Sequence, residues 1–408
     1  MSITNSSAPE PADKPESASS EAVSASAAEE FIAWEDIDEL KTQLLRGIYA
    51  YNFEKPSHIQ QRAILPVMHG RDVIAQAQSG TGKTGAFGVA TLQVVDCAKS
   101  EVQALIMAPT RELAKQIHDV ITNLGGQMIG LRVQLLVGGT STDDDARILK
   151  NDTPHIVVGC PGRVHDMIRR RYINARTIRL LVLDEADEML SAGFKDQIYN
   201  IFQFLNNDVQ VCLFSATMPQ ELHSLSEKFM RNPVKILVQS EMLTLEGICQ
   251  YYIGLDDDEG KFATLQDLFK TISMSQSIIY CNSVKRVSDL TEAMVLKGFP
   301  ACCIHSGMEK DARDEAYGDF KCGKYRVLIS SDVTARGIDI QQVSTVINFD
   351  LPRSVHTYLH RIGRSGRWGR KGTGISFVTR RDVKQLKDIE TFYSTNICEL
   401  PSTFKAAE

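Results

Sequence analysis

Asp72-Val-Ile-Ala-Gln-Ala-Gln-Ser-Gly-Thr-Gly-Lys-Thr84 joins three kinds of text in thirteen residues. A short apolar run has strand character, a polar glycine-rich turn follows it, and Gly85–Ala98 then takes up a helical pattern. A strand that feeds such a turn into a helix is built to wrap phosphate. Backbone N–H groups turn inward at a helix N-terminus whose dipole favours anions. Gly80 and Gly82 permit the turn, with Ser79 and Thr81 beside them, and Ala77 stands where the usual pattern opens on glycine. Lys83 is placed to reach β- and γ-phosphates, and the Thr84 hydroxyl to ligate Mg²⁺. The expected cofactors are ATP and Mg²⁺.

Further along, Leu180-Leu-Val-Leu-Asp184-Glu-Ala-Asp187 puts Asp184 where a buried strand emerges at its carboxyl end. Open α/β sheets hold their ligands on that side. Asp184 is placed to hold Mg²⁺ through water, and Glu185 to orient and deprotonate an attacking water. An acidic helix start would read the same in isolation, because carboxylates suit helix N-termini. The phosphate loop upstream decides for catalysis.

Around these two motifs, short apolar runs alternate with longer amphipathic stretches. Asp72–Ala77, Ala104–Pro109, Val133–Gly138, His155–Gly159, Leu180–Asp184, Val211–Ser215 and Lys235–Val238 read as strands, and Arg111–Leu124 and Gly193–Phe204 as helices between them. Apolar residues from Ile37 to Tyr51 also fall at helical spacing. The polar stretch Gln239–Gly247 interrupts the series. It resumes at Gln250–Gly254, Ser277–Cys281, Ala301–His305, Arg326–Ser330, Thr345–Phe349 and Gly374–Val378. Such alternation implies parallel sheets with helices on both faces. The expectation is α/β: a disordered Ser/Ala/Glu/Pro-rich tail at 1–30, a first domain at 31–238, a flexible linker at 239–247 and a second domain at 248–408. The halves share architecture and little residue-level similarity.

The 408 residues carry a net charge of −6, which argues at first sight against nucleic acid. Five Glu, one Asp and one Lys place −5 of it in residues 1–30, and the other 378 residues sum to −1. Leu351–Arg381 has eight basic residues and no acid, with glycines between them, so it needs phosphate of a nucleotide or a nucleic acid. No apolar run reaches the ~18 residues of a membrane helix, and the N-terminus has no apolar signal core. The nine cysteines show no CxxC spacing, so neither zinc nor a disulfide framework is indicated and reduced thiols are expected.

Asp184-Glu-Ala-Asp187 and the phosphate loop together resemble the DEAD-box RNA helicases, and further motifs follow in that family's order from Ala33 to Pro401. Phe53, Lys55-Pro56 and Ile59-Gln60 resemble the adenine-reading motif. Pro109-Thr-Arg-Glu-Leu-Ala114, Gly138-Gly139 and Pro161-Gly-Arg163 resemble the RNA-backbone motifs, and Ser215-Ala-Thr217 the coupling motif. Ile278–Ser283, Asp332–Asp339 and His360-Arg-Ile-Gly-Arg-Ser-Gly-Arg367 continue the series.

The resemblance implies two RecA-like domains. It also implies that Gln60 reads adenine with an amide that both donates and accepts, with Tyr49 or Phe53 stacking on the base. Asp339 meets the ribose. Arg364 and Arg367 act as arginine fingers, whose planar donors match phosphate. Asp187, Ser215, Thr217, His360 and Arg361 couple hydrolysis to domain closure. RNA meets Pro109, Thr110, Arg111, Gly139, Gly162, Arg163, Arg313 and Ser331, mainly through phosphate and 2′-OH.

Within the family the text is similar to members acting in translation initiation, with ATP-gated junction clamps as the nearest alternative. The expected enzyme is an RNA-stimulated ATPase that unwinds short duplexes locally. Its expected partners are RNA and a scaffold of the cap-binding kind, with no membrane and a monomeric state. Its expected place is the cytoplasm, with the nucleus as the alternative. Several positions depart from the family text: Cys160 for Thr, Asn52 for Gly, Ser306-Gly307 for Gly-Asp, Lys310 for Gln, Ser331 for Thr, and Arg353–Thr357. Asn is the residue after glycine that best tolerates a positive φ. An intact ATP site beside a drifting RNA face implies either weaker RNA affinity or coupling, or a diverged paralogue in a specialised role.

Overall fold

The computed structural model describes residues 31–77, 80–191, 193–237, 248–271, 276–334, 343–365 and 372–401. The tail at 1–30, the linker at 239–247, and Ser79, Asp339 and Arg367 lie outside the described residues.

All thirteen strands expected from the apolar runs are present, within a few residues of their expected ends. The first sheet contains β1 (Val73–Gln76), β2 (Ala104–Met107), β3 (Val133–Leu136), β4 (Ile156–Gly159), β5 (Leu180–Asp184), β6 (Gln210–Ser215) and β7 (Val234–Leu237), ordered β3-β4-β2-β5-β6-β1-β7. The second contains β8 (Ile248–Leu255), β9 (Gln276–Tyr280), β10 (Ala301–Ile304), β11 (Val327–Ser330), β12 (Val343–Asn348), β13 (Gly372–Thr379) and β14 (Cys398–Glu399), ordered β10-β11-β9-β12-β13-β8-β14. Counted within its own domain, each sheet runs 3-4-2-5-6-1-7, and every pairing is parallel. The second domain therefore repeats the topology of the first. Among the described residues, the one strand that sequence reading missed is β14: two exposed residues beside Tyr251 and Tyr252 are too short for any periodicity.

Helices α1 (Thr42–Ala50), α2 (His58–Met68), α3 (Lys83–Val94), α4 (Arg111–Leu124), α5 (Thr142–Asn151), α6 (Pro161–Arg169), α7 (Ala186–Ser191), α8 (Lys195–Phe204) and α9 (Gln220–Phe229) cover the first sheet. The second carries α10 (Gly260–Thr271), α11 (Val284–Leu296), α12 (Lys310–Lys321), α13 (Val355–Ile362) and α14 (Val383–Tyr393). Each sheet separates two apolar cores. Val73, Ala75, Ile106 and Val182 point to one side of the first sheet, and Ile74, Leu105, Met107 and Leu181 to the other. Burial on both faces is why these strands read as continuous apolar runs.

The expected helix from Ile37 begins only at Thr42. Asp36 accepts from the backbone N–H of Ile32 and Ala33 and holds a short 3₁₀ turn at Trp34–Asp36 that carries Ile37 into the core instead. Asn52 has φ 61°, the conformation for which Asn is suited. Among the described residues no helix is long and apolar enough to cross a membrane.

Candidate active site

The phosphate loop lies where β1 hands over to α3. Gly82 has φ 100°, and a Cβ there would come within 2.6 Å of Ser57 Oγ, so only glycine fits. Lys83, 5% exposed, places Nζ 3.2 Å from Glu185 Oε1. Glu185 has φ 50°, strained for this residue type, and its N–H donates to Asp184 Oδ1 at 3.0 Å. Burial pushes the Asp184 carboxyl up to about 7, while Lys83 pulls it down.

These groups line a cavity of about 490 Å³ together with Phe53, Lys55, Gln60, Gly80, Thr81, Thr84 and Arg364. The Gln60 amide is half engaged already. Its oxygen accepts from Ser57 N at 2.7 Å and its Nε2 donates to Gly82 O at 3.2 Å, which leaves one donor and one lone pair for a base. Phe53 is backed by Trp34, whose ring lies 6.5 Å away at 11° and whose Nε1 donates to Phe53 O at 2.9 Å. Sequence reading missed Trp34, because one aromatic before a helix has no periodic signal. Tyr49 does not reach the cavity. It is exposed, and its hydroxyl binds Glu35.

From the end of β6 a chain of polar contacts crosses to the second domain. Ser215 Oγ donates to Thr217 O at 2.7 Å, Thr217 Oγ1 donates to Asp187 Oδ2 at 2.5 Å, and His360 Nε2 lies 3.4 Å from that same oxygen. Arg364, one turn beyond His360, donates Nε to His360 O at 3.2 Å and lines the cavity described above. Arg361 does not join this chain. It is fully buried in the second domain, with Nε on Asp332 at 2.6 Å, Nη1 on Asp350 O at 2.7 Å, Nη2 on Asn282 Oδ1 at 2.7 Å, and its guanidinium over the Tyr280 ring.

Along the neighbouring strand ends, Thr110 Oγ1 caps α4 by accepting from Leu113 N at 3.3 Å. Arg111 lies against Gly139, where φ is 85° and a Cβ would come within 2.6 Å of Arg111 Nη1. Gly162 is exposed, with open space around its Cα, whereas the Pro109 side chain is buried. Cys160 occupies the N-cap of α6 without a capping bond, its thiol packed in the core and pushed up to about 12 by burial. Ser331 has a buried hydroxyl without a hydrogen-bond partner among the described residues.

A family profile for DEAD/DEAH box helicases matches residues 57–225, and one for the helicase conserved C-terminal domain matches residues 260–369. The chain is 53% identical over 365 residues to eukaryotic initiation factor 4A of Caenorhabditis elegans, covering 90% of each. It is 53% identical over 362 residues to ATP-dependent RNA helicase eIF4A of Pyricularia oryzae, covering 89% of this chain and 91% of that one. The chain belongs to the DEAD-box ATP-dependent RNA helicases. Among solved structures, S. cerevisiae Dbp5 bound to RNA and ADP BeF3 superposes on it with a TM-score of 0.82 at 35% identity. That superposition covers 88% of this chain and 93% of the other, so it takes in both domains.

For a DEAD-box helicase in this arrangement, two arginines expected to meet RNA are engaged elsewhere. Arg163 is 8% exposed and binds the Asp145 carboxylate, Thr140 Oγ1 at 3.1 Å and Thr140 O at 2.8 Å. Arg313 binds Glu112 at 2.7 Å across the domain interface, each side chain 9% exposed. The sequence shows the arginines but not the carboxylates that fold against them.

Proposed function

We propose that this helicase binds ATP in the cavity between its domains and hydrolyses it when RNA holds the domains closed. The observation that carries the reading is that the phosphate loop of the first domain and Arg364 of the second line one cavity. Lys83 then leaves Glu185 for the β- and γ-phosphates. Glu185 is freed to orient and deprotonate the attacking water, and Arg364 meets charge developing on the γ-phosphoryl group.

Thr84 and Asp184 offer the hard oxygen donors that Mg²⁺ requires, at the mouth of the same loop. When bound, Mg²⁺ neutralises phosphate charge. By the family resemblance, Ser79 belongs to the loop, Asp339 meets the ribose, and Arg367 acts with Arg364 as an arginine finger. The domains divide as 31–238 and 248–408 about a linker at 239–247. Thr110, Arg111, Gly139, Gly162 and Ser331 form the RNA track, with little sequence preference because its contacts are to the backbone.

The names of the 53%-identical relatives support a role in translation initiation, with RNA and an initiation scaffold as partners and the cytoplasm as the place of action. The deciding experiment is ATP hydrolysis by the purified chain with and without single-stranded RNA at fixed salt. Strong stimulation supports the closure scheme, and turnover that ignores RNA refutes it. Glu185→Gln should trap ATP and RNA together, and fast RNA release from that variant would contradict the scheme.

A further inference from the structure

Helices α4 and α12 face each other across the interface with alternating charge. On α4, Glu112 and Lys115 stand three residues apart and share a face. On α12, Arg313 and Asp314 answer them. Glu112 Oε1 lies 2.7 Å from Arg313 Nη1 inside the interface, and Lys115 Nζ lies 3.6 Å from Asp314 Oδ2 at its rim, with side chains 56% and 41% exposed.

The inner pair is not fully satisfied. Glu112 Oε2 and Arg313 Nε are buried without hydrogen-bond partners among the described residues, while Arg313 Nη2 reaches only the carbonyls of His305 and Ser306 at 3.3 and 3.4 Å. A buried ion pair of this kind adds little net stability but penalises any arrangement that leaves one partner alone. Its strength is therefore in register rather than affinity. The rim pair extends the pattern: sliding α12 one way along α4 brings Arg313 toward Lys115, and sliding it the other way brings Asp314 toward Glu112, like charge against like in either direction.

We propose that these two ion pairs form a charge key between α4 and α12 that sets the register in which the domains close, with Lys115 and Asp314 as positioning residues for the closed state. The proposal rests on the closure reading above. α4 opens at Thr110 and Arg111, so the key also ties the RNA track of the first domain to the second domain at the instant of closure.

The test is the affinity of the full chain for a labelled single-stranded RNA, measured with ADP–BeF3 and again with ADP. The ratio of the two reports closure. Lys115→Asp and Asp314→Lys should each reduce that ratio by roughly fivefold, the scale of a lost surface pair plus a new repulsion, and leave the affinity with ADP near wild type. The double variant Lys115→Asp/Asp314→Lys should recover the ratio to within about twofold. Both side chains are exposed, so thermal unfolding should be unchanged. Additive losses without recovery would overturn the key, as they would mean that Lys115 meets RNA directly. A wild-type ratio near one would instead bring down the closure reading, and the key with it.

Discussion

The two domains repeat one topology, and the turn after their first strand ends in the same kind of ion pair. After β1 come Gly80, Thr81 and Gly82, then Lys83, whose Nζ lies 3.2 Å from Glu185 just beyond β5. After β8 come Asp256, Asp257, Asp258, Glu259 and Gly260, then Lys261, whose Nζ lies 3.2 Å from Asp350 just beyond β12, the matching strand. Both lysines are buried, at 5% and 3% exposure. Their surroundings separate them. Glycines leave the first helix N-terminus open to phosphate, whereas in the second domain four acidic side chains repel it. Asp258 binds Lys261 at 2.7 Å, Arg286 binds Asp350 at 2.8 Å, and both cations lie over the Phe349 ring. The first lysine borders an open cavity, and the second is enclosed by Asp258, Asp350 and Phe349. The fold supplies the pair, and the loop before it decides whether a nucleotide enters.

The largest effect should come from Lys83→Ala, which removes hydrolysis by more than about a thousandfold in a phosphate-release assay while the protein keeps its thermal midpoint. Wild-type turnover in that variant would erase the distinction between the two lysines. Arg364→Lys keeps the charge but loses the planar fork, so turnover should fall roughly a hundredfold with nucleotide affinity retained. An equal loss of affinity would place Arg364 in binding rather than in the reaction.

Lys261→Met should do the reverse. Turnover of the folded protein stays, and denaturant unfolding loses about 2 kcal/mol, less than the full cost of breaking a buried pair because Arg286 remains on Asp350. Loss of ATP turnover without loss of stability would show that the second lysine is not sealed. The smallest effect concerns the positions that follow β4 and β11, Cys160 and Ser331. Thr110 and Ser283 cap α4 and α11 from equivalent places, each accepting a backbone N–H at 3.3 Å, but Cys160 caps nothing. Cys160→Thr should therefore stabilise the first domain by about 1 kcal/mol in thermal unfolding. No gain would mean that the core prefers the thiol there.

Much of this was open to sequence reading, for a physical reason. A phosphate loop, an acidic strand end and a buried parallel strand are each contiguous, so their chemistry and periodicity lie in a dozen residues or fewer. That is why β1, β5, Lys83, Asp184 and Glu185 fell where expected, whereas the meeting of Thr217, Asp187 and His360, 30 and 173 residues apart, was implied only by the family resemblance. Tyr49 misled because an aromatic on a helix reads the same whether it faces a nucleotide or solvent. Arg361 misled because its partners Asn282, Asp332 and Asp350 come from three separate strand ends.

The local order of residues was enough to establish two α/β sheets and the places of the phosphate-loop text after β1 and the acidic pair at the end of β5. Which charges remain available was settled by folding alone. Arg163 and Asp145 are 18 residues apart, and Arg313 and Glu112 are 201 apart. A guanidinium's freedom depends on which carboxylate burial brings to it, and no local pattern carries that information.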